Sequence, residues 1–316
     1  MAFTALRGMK PFPQLMFAAF IILVSFLAFM VIGLIVAVPL FGMDSLLDMP
    51  NINDMNDPQS VNLMKFLQVV QSFGLFIIPP FVLAWLFHGN VPGYLHLDKR
   101  TNAVSLLLVL ILTLVAAPFI NFIGEMNMRM IFPEWLSGLE QWMKNAEEQA
   151  AQLTEAFLKV EGVGGLLFNL FMIALLPAIG EELLFRGVIQ RIFTNMTKNH
   201  HWGIWISAIL FSSLHLQFYG FVPRMLLGVA FGYLLVWSGS MWLPVVAHFL
   251  NNALAVLALF FIDKQLLSPK LEEYGATDES YYLAGISLLL VALFMYMVKK
   301  ENRENELRYA ETEEPQ

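Results

Sequence analysis

Two adjacent carboxylates and an arginine lie together in Pro177 to Gly187, which reads Pro-Ala-Ile-Gly-Glu-Glu-Leu-Leu-Phe-Arg-Gly. They follow a run from Leu166 to Leu176 that is apolar except for Asn169, the kind of stretch that sits in hydrocarbon. An ionisable side chain at that depth costs from roughly 3 to over 10 kcal/mol, so it is normally paired or functional. Spacing separates the roles. Glu182 and Arg186 are four apart on one helix face and suit an ion pair; Glu181 is rotated by about 100° and is left to do chemistry. Pro177, four residues before Glu181, has no backbone N–H and predicts a kink beside the pair. The alternative without function is an ion pair closing a helix end at the membrane interface.

Two further apolar stretches carry histidine. Phe211-Ser-Ser-Leu-His215 puts Phe211 and His215 on one helix face, and His248-Phe-Leu-Asn-Asn252 does the same for His248 and Asn252, with Asn251 beside them. A lone intramembrane histidine is most often a hydrogen-bond partner between helices, but here two histidines, an asparagine and a glutamate pair share a similar depth. At 1.5 Å per residue, Glu181 lies within about 15 Å of one helix end, and His215 and His248 within roughly 10–20 Å. Three helices can therefore bring these groups into one pocket, expected to open toward the cytoplasm. Two chemistries suit it. Glu181, His215 and His248 could hold a zinc ion with an open position for water. Alternatively, Glu181 with His215 could activate water as a general base without metal, with His248 and Asn252 donating to the oxyanion. Either reading is hydrolysis of an acyl bond, foremost a peptide bond. The sequence has no serine nucleophile elbow, no His-Glu-x-x-His and no phosphate-cradling glycine loop.

The elements that must position these groups follow from composition. Of 316 residues, 58% are hydrophobic and 14% charged, and the mean hydropathy is +0.65. This predicts an all-α, polytopic membrane bundle. The absence of cysteine excludes disulfides, thiolate metal sites and cysteine nucleophiles, and a net charge of -7 argues against nucleic-acid binding. Stretches near the 20 residues needed to cross a bilayer fall at 15–39, 62–87, 103–123, 164–190, 203–219, 222–238, 241–262 and 281–298, about eight spans, the fifth and sixth short. The first is too long for a signal-peptide core and reads as retained. Basic residues (Arg7, Lys10, Lys99, Arg100, Arg191, Lys198, Lys299, Lys300) alternate with the acid-rich loops 40–61, 124–163 and 263–280, which puts both termini in the cytoplasm. Near the turn between the fifth and sixth spans, one basic residue, Arg224, falls on the wrong side. Within 124–163, Glu140 to Lys159 carries Leu153, Ala156, Phe157 and Val160 at helical spacing and predicts an amphipathic helix along the outer surface. Pro118 and Pro79-Pro80 lie inside spans, where neighbouring helices must satisfy the freed carbonyls. The domain reading is 1–163, three spans plus the amphipathic helix; 164–298, the core with its motifs in 175–255; and 299–316, an acidic cytoplasmic tail.

Glu-Glu-x-x-x-Arg, then Phe-x-x-x-His, then His-x-x-x-Asn on successive membrane helices resembles the CPBP family, the CAAX proteases and bacteriocin-processing or self-immunity proteins also called the ABI family. The ordered triple is intact here as Glu181-Glu182-Leu-Leu-Phe-Arg186, Phe211-Ser-Ser-Leu-His215 and His248-Phe-Leu-Asn-Asn252; before residue 175 the likeness is one of hydropathy only. The resemblance implies an intramembrane endopeptidase of the metallo or glutamate type, similar to CAAX prenyl proteases. It implies Glu181 as catalytic base, Glu182 held by Arg186, His215 acting on the water or ligating a metal such as Zn2+, and His248 and Asn252 completing the site. A compact, acidic, cysteine-free chain with short loops points to a bacterial inner membrane, where CAAX prenylation is generally lacking. The expected partners are therefore the lipid bilayer and another membrane-associated protein or peptide substrate. A competing reading is a non-catalytic immunity or scaffold protein, which would have no need of a free Glu181. A transporter would show paired, repeated halves, whereas the polar groups here occupy one half of the chain.

Overall fold

The computed structural model describes residues 6–43, 46, 55 and 57–303. Residues 304–316 of the expected acidic tail, and most of 44–56, lie outside them. Seven helices are long and apolar enough to cross a membrane: α1 (Pro11–Phe41), α2 (Pro58–Phe87), α3 (Ala103–Met128), α5 (Val163–Thr197), α7 (Phe221–Ser238), α8 (Trp242–Asp263) and α9 (Tyr281–Glu301). Two more complete the architecture, α4 (Ser137–Leu158) and α6 (His200–Ser213). The protein is an integral membrane helical bundle.

The fifth expected span, 203–219, is present as α6, which stops at Ser213. Its 14 residues give about 21 Å at 1.5 Å per residue, less than the roughly 30 Å hydrocarbon core. The α6–α7 turn therefore ends short of the far face, and α4 fills the space above it. Glu147 of α4 accepts from Tyr219 N (3.3 Å) and Gln217 Nε2 (3.4 Å), and Trp142 packs on Phe218 at 5.2 Å between centroids. Asn127, at the end of α3, caps α7 by accepting from Val222 N at 2.7 Å while donating to Phe218 O at 3.0 Å. The amphipathic segment is thus a helix, as its periodicity predicts, but it serves as a roof rather than a surface float, with Met143, Ala156 and Phe157 buried.

Connectivity gives the bundle two faces. One carries 88–102, 198–199 and 239–241 with the basic ends of α1 and α9; the other carries 129–162 and 264–280. The basic face is stitched shut. Ser240 Oγ donates to Lys99 O (2.7 Å), Trp242 Nε1 to Leu97 O (3.2 Å) and Met241 N to His96 O (3.0 Å). His96, a loop histidine, is buried here; burial and the Arg191 charge push it down to about 3, so the neutral ring accepts from Arg191 Nη2 at 2.9 Å.

Backbone irregularities are satisfied by neighbouring helices, as the prolines require. At the Pro118 kink of α3, Ser287 of α9 bridges the ladder: its Oγ accepts from Phe119 N (3.2 Å) and donates to Val115 O (2.6 Å). The approach of α7 to α5 and α6 depends on Gly228 and Gly232, a small-xxx-small pair. A Cβ on Gly232 would stand 2.7 Å from Gln190 Oε1 and 2.8 Å from Ile204 Cγ2. Gly232→Leu should therefore cost about 1–3 kcal/mol through overpacking, measured as a lowered thermal midpoint in detergent, whereas Gly124→Leu, with no atom near its Cβ position, should leave the midpoint unchanged.

Candidate functional site

The helix that carries both carboxylates is not a uniform α-helix. In α5, Leu170–Leu175 and Phe185–Ile189 are π-helical, and the α-helical piece between them, Leu176–Leu184, holds Glu181 and Glu182. π-Turns of this kind concentrate at functional sites. Pro177 explains the first: it cannot donate to the carbonyl of Ile173, four residues earlier. That carbonyl instead accepts from Asn252 Nδ2 of α8 at 3.2 Å. Asn252, expected to complete the site, thus commits one N–H of its amide to the proline-distorted backbone and has a second N–H beyond that bond. Its Oδ1 accepts from Asn251 Nδ2 at 3.1 Å.

Glu182 and Arg186 pair as their spacing predicts, Nε to Oε2 3.0 Å, with side chains 0% and 1% exposed. Arg186 also donates to Gly228 O at 3.1 Å and lies between two rings, 4.8 Å from the Phe211 centroid and 5.6 Å from that of Phe231. Cation–π attraction is strongest in such desolvated positions. The other carboxylate oxygen of Glu182 accepts from His248 Nδ1 at 2.8 Å. That bond fixes the tautomer and directs Nε2 at Glu181, 3.8 Å from its Oε2. His248 also stacks on Phe231, with centroids 5.2 Å apart. His215 is oriented in the same manner: Nδ1 donates to Phe211 O at 2.8 Å, leaving Nε2 as an acceptor.

Glu181, His215, His248 and Asn252 all line one cavity of about 550 Å3. The structure thus brings together the groups that the sequence singled out, with Glu182 and Arg186 directly behind them. It moves the mouth, however. Leu153, Thr154, Phe157 and Leu158 of α4, Gln217 and Leu259 line the same cavity, so it lies toward the face of 129–162 and away from the sealed basic face. The expected opening on the basic side is therefore corrected. The short α6 is the reason, because it places His215 beneath α4 instead of at the basic end. Phe231, Asn251 and Arg224 also line the cavity and were not among the residues expected there. Phe231 offered no signal among so many phenylalanines, whereas Arg224 had one in its misplaced charge.

The donor chemistry suits a transition metal, since each histidine has one nitrogen held by a carbonyl or carboxylate and the other directed inward. The spacing does not: among the described residues no three His, Cys, Asp or Glu side chains are grouped to hold a metal ion. Removing one member of a buried pair strands the other charge at about 3–5 kcal/mol. Arg186→Gln should accordingly lower the thermal midpoint sharply, while the double variant Glu182→Gln/Arg186→Gln should recover much of that loss in a double-mutant cycle.

Comparison with known proteins agrees with this geometry. Residues 163–254, which contain all three motifs, match the family described as Type II CAAX prenyl endopeptidase Rce1-like. A segment of 97 residues is 28% identical to the uncharacterized protein YpbD of Bacillus subtilis (strain 168), over 29% of this chain and 47% of that protein, so the match spans about half of the relative's length. No solved structure gives a significant match. The carboxylates of α5, the histidine after α6 and the histidine and asparagine of α8 thus lie within the segment, residues 163–254, that is similar to the Rce1-like family.

Proposed function

We propose that the protein is an intramembrane endopeptidase that hydrolyses a peptide bond of a membrane-associated protein or peptide, in a bacterial inner membrane with both termini cytoplasmic. The convergence of Glu181, His215 and His248 on one cavity, inside the segment that matches the Rce1-like family, carries this reading. A water between Glu181 and His215 loses a proton to one of them as it attacks the carbonyl carbon. The proton then passes to the departing amine, and microscopic reversibility lets the same group serve as base and acid. Glu182 does not take part in proton transfer. It fixes the His248 ring and neutralises Arg186, and among the described residues Glu181 is the one carboxylate that lines the cavity.

A scaffold reading lacks such support, because the Glu181 carboxylate faces the cavity with only the His248 ring near it among the described residues and binding alone does not require it. New protein N-termini in membranes from cells expressing wild type should disappear with Glu181→Gln, a near-isosteric change that removes the base. Identical sets of termini with a folded variant would leave binding as the function. The protein-only mechanism further predicts that cleavage by purified, reconstituted protein is unchanged by 1,10-phenanthroline; abolition by the chelator, restored by added Zn2+, would assign the water to a metal.

A further inference from the structure

Arg224 stands in the first turns of α7, on the face of the bundle opposite the basic ends of α1 and α9, and it lines the same cavity as Glu181, His215 and His248. A guanidinium at membrane depth ordinarily has a carboxylate partner. Among the described residues Arg224 has none within ion-pair distance. Its contacts are to the neutral Gln217, Nη2 donating to Oε1 at 2.9 Å and Nη1 to the main-chain oxygen at 3.4 Å.

Those contacts are built. Glu147 of the roof helix accepts from Gln217 Nε2, which turns the amide so that its oxygen meets Arg224. Gly220 leaves room for the guanidinium: a Cβ there would stand 3.1 Å from Nη2. A guanidinium has five N–H donors, so most remain for a group in the cavity. The other lining donors are partly engaged: Asn252 commits one N–H to Ile173 O, Asn251 commits one to Asn252, and His248 commits Nδ1–H to Glu182, and Arg224 is the one arginine or lysine among the described lining residues. Gln68 keeps a free amide, but it is neutral.

We infer that Arg224 is a catalytic residue, the cation that stabilises the oxyanion of the tetrahedral intermediate. This rests on the hydrolytic reading above. As the water oxygen bonds to the carbonyl carbon and its proton passes to the general base, the C=O π pair moves onto oxygen, and Arg224 N–H groups donate to that negative oxygen. When the C–N bond breaks, the pair returns to re-form C=O and the amine nitrogen takes the proton from the base. Preorganised donors of this kind act where water is excluded and charge develops.

The test uses the full-length protein in liposomes and two short Leu/Ala-rich peptides that differ at one central linkage, an amide in one and a tetrahedral phosphinate anion in the other. Wild type should bind the phosphinate more tightly than the amide. Arg224→Gln should lose that preference by ~100-fold while keeping amide affinity, and on a cleaved substrate its kcat should fall ~10²–10³-fold, the cost of losing one oxyanion donor, with KM unchanged. Arg224→Lys, which keeps the charge, should retain part of both. The inference is overturned if the phosphinate preference survives in Arg224→Gln, if wild type shows no preference, or if the kinetic loss lies in KM alone, which would mark a ground-state anion site. The hydrolytic reading fails by a separate result, matching N-termini from wild type and Glu181→Gln.

Discussion

A buried ion pair at membrane depth sets the terms for the rest of the molecule. Glu182 and Arg186 are almost wholly removed from solvent, and in such surroundings neither charge is tolerable without the other. The attraction between them covers only part of the desolvation, so the remaining donors and faces need partners as well. Gly228 supplies a carbonyl, Phe211 and Phe231 supply ring faces, and His248 supplies a proton to the second carboxylate oxygen. Each of these lies outside α5, so satisfying one pair draws α7, α8 and the end of α6 onto a single point. The cavity is what remains in front of that point, and Glu181, one residue earlier, is the carboxylate left facing it.

The backbone cooperates with this electrostatics. A regular α-helix through Pro177 would leave a carbonyl without its donor in hydrocarbon, a cost of several kcal/mol per unmet group. The π-turn and Asn252 absorb the defect together. The same logic recurs at Pro118, where Ser287 bridges the interrupted ladder. Side-chain amides and hydroxyls on one helix repairing the backbone of another is a recurrent way of tying this bundle together. It explains how a residue that belongs to a chemical motif, Asn252, also serves the scaffold.

Much of this was legible in the sequence. The crossing helices follow from apolar run length, the Glu182–Arg186 pair from the four-residue spacing, and the amphipathic α4 from its period. The meeting of Glu181, His215 and His248 was inferred from depth alone. The direction of the opening was not, because it depends on where α6 stops. An apolar stretch continues past Ser213, and the break at Leu214–Gln217 carries neither glycine nor proline to mark it. The partners of His248 and Asn252 were equally hidden, since an i,i+4 pattern says which groups share a face and nothing about which helix they meet. Arg224 was visible as an exception to the charge rule, but only the packing of Gln217 and Glu147 around it gives the exception a place.

The stitched basic face bears on how a polypeptide could be handled. Between 88–102 and 239–242, main-chain and side-chain hydrogen bonds close the bundle behind the cavity. The cavity in front of Glu181 is lined on its other side by Leu153, Thr154, Phe157 and Leu158 of α4. On the proteolytic reading, a polypeptide would therefore reach Glu181 from beneath α4, with the hydrogen-bonded loops of the basic face behind it.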